Sequence, residues 1–291
     1  MLLFTQFPFQ IPGSWAQEID NGVRIFKNRA DGFFEAITKG ISSLVSSIAW
    51  LLHTTPWFIL MILIFFLGWK CSKRMTTGVL YALALCVVGF LGLWELMNET
   101  LAIVVASVVL SIVLGFPVGV LISGSDRATR LIRPVLDTMQ TMPIFVYLIP
   151  AALFFGLGKT PAVIASVIYS IVPIIRLTNL GIRQVDREVV EAARAFGSTR
   201  LQSLVKVQIP LAFPTIMAGV NQTLMMAMAM VTTSSMIGAS GLGMEVLISV
   251  NRMEIGRGLF AGSAVVILAV IMDRLTQNWF NGKESEVALD A

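Results

Sequence analysis

The chain of 291 residues is 56% hydrophobic and only 13% charged, with 21 Lys and Arg against 17 Asp and Glu. Soluble domains carry about 25% charged residues, so this composition, with a mean hydropathy of +0.82, excludes a soluble globule and indicates a polytopic membrane protein. The net charge of +4 is scattered between apolar segments without a basic run, which argues against a nucleic-acid partner, and Cys71 and Cys86 offer neither a disulfide framework nor metal-ligand spacing.

Residues 1–17 lack a basic start and are interrupted by Pro8 and Pro12, so no cleavable signal peptide is expected. Residues 1–56 read as an extracytoplasmic segment. Within it, Phe33, Ile37, Ile41, Leu44, Val45, Ile48 and Leu52 recur at three- and four-residue steps, which predicts an amphipathic helix over 33–52. Such a helix either lies on the outer membrane surface or packs against the spans. His53 is the single histidine and reads as an interfacial polar residue, since no Cys, His or carboxylate cluster surrounds it.

Hydropathy places about seven spans, at 52–70, 76–94, 99–122, 138–157, 160–180, 212–233 and 258–277. The first two occupy 57–97 and precede a core over 98–280. The purely apolar part of the first span, 57–69, is short for a crossing of about 20 residues, so it is expected to recruit 53–56 or to thin the bilayer. Lys70, Lys73 and Arg74 follow the first span, Arg127, Arg130 and Arg133 the third, Arg176 to Lys206 the fifth, and Arg274 and Lys283 the seventh. Positive charge marks the cytoplasmic side. The N-terminus is therefore expected outside, and the C-terminus with its tail at 281–291 inside.

Between the fourth and fifth spans, "GLGKT" at 156–160 imitates the end of a phosphate-binding loop. The position that pattern requires as glycine is Leu153, so a tight loop is expected. After the fifth span, 185–210 is charged and helix-prone. Asp186 is expected to cap a helix over 187–196, Gly197 to supply a left-handed stop, Ser198 to cap a second helix over 199–209, and Pro210 to end it. Val189, Val190, Ala192, Ala193 and Phe196 give the first of these an apolar side, as a docking element needs. The sixth span carries Asn221, Gln222 and Thr223, then Met225, Met226, Met228 and Met230. Uncharged polar groups in a span bond neighbouring helices or line a wet path, and methionine adapts to changing neighbours. Next, "GASGLG" at 238–243 cannot continue a stable helix. An irregular segment at membrane depth must be buried in protein or line water, which suggests an outer gate at Gly238, Gly241 and Gly243.

No Ser/His/Asp set or paired catalytic carboxylates occur, so an enzyme is not expected. Arg176, Asp273 and Arg274 lie within about two turns of the predicted span ends, leaving no charged group at a span centre to couple transport to an ion gradient. Energy for any transport has to come from outside the chain.

"EAARAFGSTRLQSLVKVQIP" resembles the cytoplasmic EAA loop of ABC importer permeases, E-A-A, three residues, G, nine residues, I-x-L-P. Glu191, Ala192, Ala193, Gly197 and Pro210 stand at its positions, with Val207 for Ile and Ile209 for Leu as conservative departures. The flanks, "QTMPIFVYLIPAALFFGLGKTPAVIASVIYSIVPIIRLTNLGIRQV" and "SSMIGASGLG", resemble permeases of the glycine betaine, proline and choline osmoprotectant importers. The resemblance implies an all-α, type I-like permease that works as a homodimer. Two ATPase subunits would dock on the EAA loops and an extracytoplasmic binding protein would deliver solute. The chain itself would hold no cofactor, with ATP and Mg on the partner subunit. Proline betaine, choline and proline are related solutes. An importer for another small solute, such as an amino acid, is the alternative reading, and an ATP-independent channel or carrier a remoter one.

Overall fold

A computed structural model describes residues 14–287, and all its regular elements there are helical. The signal-peptide reading at 1–17 falls mostly outside the described residues. Helix α1 (Ser14–Arg29) leads into α2 (Asp31–Thr54), α3 (Trp57–Ser72) and α4 (Met75–Phe90). The apolar stripe of α2 packs on the bundle: Val45 and Ala49 are buried, and Ile41, Leu44 and Ile48 join the main hydrophobic cluster. Between α2 and α3 the chain bends by 99°. Pro56 forces Thr55 out of the helical region, to φ −75° and ψ 119°. Residues 53–56 therefore do not extend α3 as a straight helix. The helix α3 itself has 16 residues, about 24 Å, against a hydrocarbon layer of about 30 Å.

The centre is built from α5 (Trp94–Ser123), α8 (Lys159–Gln184) and α11 (Ile209–Thr233). Glycine permits their close approach. A Cβ on Gly115 would lie 2.5 Å from Ile174 Cγ2, and one on Gly119 2.7 Å from Thr178 Cβ. This is the small-residue packing of membrane helices. Deep between α5 and α8 the buried hydroxyls of Ser111 and Ser170 bond at 3.0 Å.

The fourth predicted span, 138–157, is not one straight helix. It divides between α6 (Asp126–Thr141) and α7 (Ile144–Phe155), which meet at 93°. Pro143 is again the cause, with Met142 held extended at φ −66° and ψ 133°. Helix α6 is amphipathic and tied to α8 by Arg176 Nη2 on Asp137 Oδ1 at 2.6 Å and by Arg183 on Asp126. Four long apolar helices, the two bent pairs and the short α4 thus occupy the seven predicted positions. Two final helices, α12 (Leu242–Arg252) and α13 (Ile255–Val287), complete the described chain. The expected tail at 281–291 is helical through Val287, and the rest lies outside the described residues.

Candidate coupling segment and translocation face

Helix α9 (Arg187–Ala195) starts where expected, with Asp186 Oδ1 accepting the Glu188 N–H at 2.9 Å. None of its residues is buried. It ends in a Schellman motif: Gly197 N–H donates to the Arg194 carbonyl at 2.9 Å and Ser198 N–H to the Ala193 carbonyl at 3.1 Å. Gly197 takes φ +86°, the left-handed region. Because Ser198 closes this motif, the next helix begins one residue later. Thr199, not Ser198, is its cap: the Thr199 hydroxyl accepts the Gln202 N–H at 3.3 Å, and Gln202 Oε1 accepts the Thr199 N–H at 2.8 Å.

Nor does that helix end at Pro210. From α10 (Arg200–Ser203) it continues through a wide turn over Leu204–Gln208 into α11, one rod over Arg200–Ile237. Proline in a helix interior removes an N–H and crowds the carbonyl four residues back. The turn before Pro210 avoids this by opening to an i→i+5 pattern, in which Ile209 N–H donates to the Leu204 carbonyl. Residue 200 and α11 thus belong to one continuous helix.

Glu191 and Ala192 are exposed and Ala193 is half-buried. Phe196 is 92% exposed and Leu201 68%. On α9, Arg187, Glu191 and Arg194 line a cleft of about 360 Å³ with Asp126, Arg183 and Gln208. Apolar side chains beside a charged cleft are the composition of a protein docking surface.

On α11 the polar trio divides. Gln222 is exposed, on a stripe with Ala218, Met225 and Ala229; Met226 is half-buried beside it. Thr223 is fully buried, and its hydroxyl lacks a hydrogen-bond partner. Asn221 turns towards α13, where its Nδ2 donates to Asp273 Oδ1 at 2.9 Å. Gln277 Nε2 donates to the same oxygen at 2.7 Å. Asp273 lies about one turn before Gln277, where the apolar span of α13 ends, as expected, and packing joins it to Asn221, 52 positions away.

The glycine segment after α11 is pinned at the opposite end of the bundle. A 3₁₀ turn, Ser234–Ile237, ends at Gly238 with φ +84°. Gly241 takes φ +119°, and a Cβ there would lie 2.4 Å from Thr100 Oγ1. That hydroxyl accepts the Leu242 N–H at 2.8 Å. A Cβ on Gly243 would lie 2.5 Å from the Thr232 carbonyl oxygen. One carboxylate that sequence reading did not single out organises this end. Glu99 Oε2 accepts Ser240 Oγ at 2.7 Å and pairs with Lys159, while Oε1 lies 3.6 Å from His53 Nε2. Lys159 thus belongs to an ion pair, as a tight loop allows. In that loop Gly158 N–H donates to the Ile237 carbonyl at 3.0 Å. Among the described residues no group of acidic, His or Cys side chains could hold a metal.

Comparison with known proteins agrees with this geometry. Residues 111–280 match the family model described as "Binding-protein-dependent transport system inner membrane component". The chain is 44% identical to the glycine betaine/carnitine transport permease protein GbuB of Listeria monocytogenes, over 94% of this chain and 96% of that one. It is 45% identical to the glycine betaine transport system permease protein OpuAB of Bacillus subtilis, over 85% and 87%. Among solved structures, an inward-facing crystal form of the MetNI methionine ABC transporter aligns with a TM-score of 0.55 at 26% identity, over 67% of this chain and 95% of that one.

Proposed function

The chain belongs to the family of binding-protein-dependent transport system inner membrane components, and from this premise we propose that it is the permease subunit of an ATP-driven importer of glycine betaine and related osmoprotectants. One observation carries the substrate class: the near full-length likeness to two glycine betaine permeases. The likeness to the methionine transporter is lower in identity and does not favour an amino acid as solute.

The chain is a multi-pass subunit of the cytoplasmic membrane, and ATP hydrolysis belongs to a separate subunit. Its N-terminus is outside and its C-terminus inside, since the Lys and Arg residues follow alternate spans. Each chain presents one exposed segment around Glu191, Ala192 and Ala193, and ABC ATPases act in pairs, so the working unit is a homodimer carrying two ATPases. ATP-driven closure pulls on α9, and the continuous Arg200–Ile237 rod conveys that motion across the membrane. At its far end, Gly238, Gly241 and Gly243 form the outer gate. Gln222 and Met225, on the exposed stripe of α11, line the path, with Asn221, Thr223 and Met226 behind them. A strain lacking betaine uptake tests the reading. Producing this chain with its ATPase and binding protein restores growth in high salt with betaine supplied. Growth restored by an amino acid but not by betaine contradicts it.

A further inference from the structure

The Asn221–Asp273 contact has a chemical asymmetry. Both amide donors, from Asn221 and Gln277, meet the same Asp273 oxygen, Oδ1. Among the described residues Oδ2 has no hydrogen-bond partner and Asp273 no ion pair, and the buried Oδ1 of Asn221 is also unpartnered. Two free acceptors and a full negative charge thus lie side by side. The neighbouring Arg274 is exposed and, among the described residues, makes no ion pair with Asp273.

On α13 the apolar span runs Ile255–Gln277, so Asp273 lies about one turn inside its cytoplasmic end. A carboxylate at that level with no cation paired to it needs water rather than hydrocarbon around it, and such groups generally mark a transport route. Its position beside exposed Gln222 puts it on the edge of the α11 stripe, which cannot face hydrocarbon with this charge.

We infer that Asp273, presented by Asn221 and Gln277, is the cation-selecting group of the path, meeting the onium head of the solute in transit. The inference rests on the betaine reading for the identity of that cation. A carboxylate attracts a quaternary ammonium without hydrogen bonds, and without an aromatic cage it holds it weakly. Weak holding suits a group that must release its ligand each cycle.

The test is charge-selective labelling of the reconstituted permease with its ATPase and binding protein. Cys71 and Cys86 are replaced by Ser, and Gln222→Cys supplies the reporter. Rates are compared for trimethylammonioethyl and sulfonatoethyl methanethiosulfonate, each normalised to its rate with a free thiol. The expected result is roughly tenfold or greater preference for the cationic reagent, lost in Asp273→Asn and kept in Asp273→Glu. Asp273→Ser is a second neutral variant for use if Asp273→Asn does not assemble. Equal preference with and without the carboxylate, or no labelling at any stage of the ATP cycle, overturns the inference. Uptake of labelled betaine by the wild-type complex is measured in parallel. A charge preference without betaine uptake supports the cation site and overturns the betaine reading.

Discussion

Replacing Gly197 by Val tests how α9 is held relative to the α10–α11 rod. A Cβ at this position meets nothing within 4 Å, so the substitution causes no collision. Its whole cost comes from the backbone, at φ +86°. A residue with a Cβ pays about 1–2 kcal/mol in the left-handed region, and a β-branched one sits at the upper end. At 1.4 kcal/mol per factor of ten, the population holding the Schellman turn falls by roughly 5- to 30-fold against any straighter alternative. Straightening opens the bonds from Gly197 to Arg194 and from Ser198 to Ala193 and moves Glu191 and Phe196 away from the docked ATPase. Gly197→Val should therefore insert and dimerise normally while losing substrate-stimulated ATP hydrolysis and ATPase co-purification. Gly197→Asn should be milder, since asparagine tolerates the left-handed region. The assay is co-purification, followed by hydrolysis in proteoliposomes with and without liganded binding protein. Wild-type coupling in Gly197→Val would refute the reasoning, because the bend would then not be needed.

Two further substitutions address the opposite end. Glu99→Gln removes the charge that Lys159 and His53 share and weakens the tie to Ser240. The pair is partly exposed, so the stability loss should be about 1 kcal/mol or less, but hydrolysis without substrate should rise as the glycine segment loosens; an unchanged basal rate in nanodiscs counts against a gate there. Gly243→Ala places a Cβ 2.5 Å from the Thr232 carbonyl and should cost about 1–3 kcal/mol by overpacking. Solute uptake should fall while ATPase co-purification stays intact, and normal uptake would place the gate elsewhere.

Much of this architecture was legible in the sequence because its determinants are local. Asp186 caps α9 and Gly197 ends it through bonds spanning only a few residues. The apolar stripe of α2 follows directly from helical periodicity. The boundaries that differ share a cause, the proline that stands just before an apolar helix. Hydropathy integrates over a window and does not register that Pro56 and Pro143 turn the chain through 99° and 93°. The opposite error occurred at Pro210. There a widened turn absorbs the missing N–H, and the helix continues. The Asn221–Asp273 and Glu99–Lys159–Ser240 contacts were illegible because they join residues 52 and 141 positions apart, as with Asn221 and Ser240. Only the packing of α11 on α13, and of the glycine segment on α5, brings these groups together.

The measurement that bears most directly on ATP-driven betaine import is a time course in proteoliposomes. They contain this chain, its ATPase and its binding protein, with ATP enclosed and labelled glycine betaine outside. Accumulation above the external concentration is expected, at a permease-to-ATPase ratio of two chains to two and with no second permease present. A non-hydrolysable ATP analogue should abolish it. Equilibration of betaine without ATP, or accumulation only when a different permease joins the complex, would contradict the proposed function.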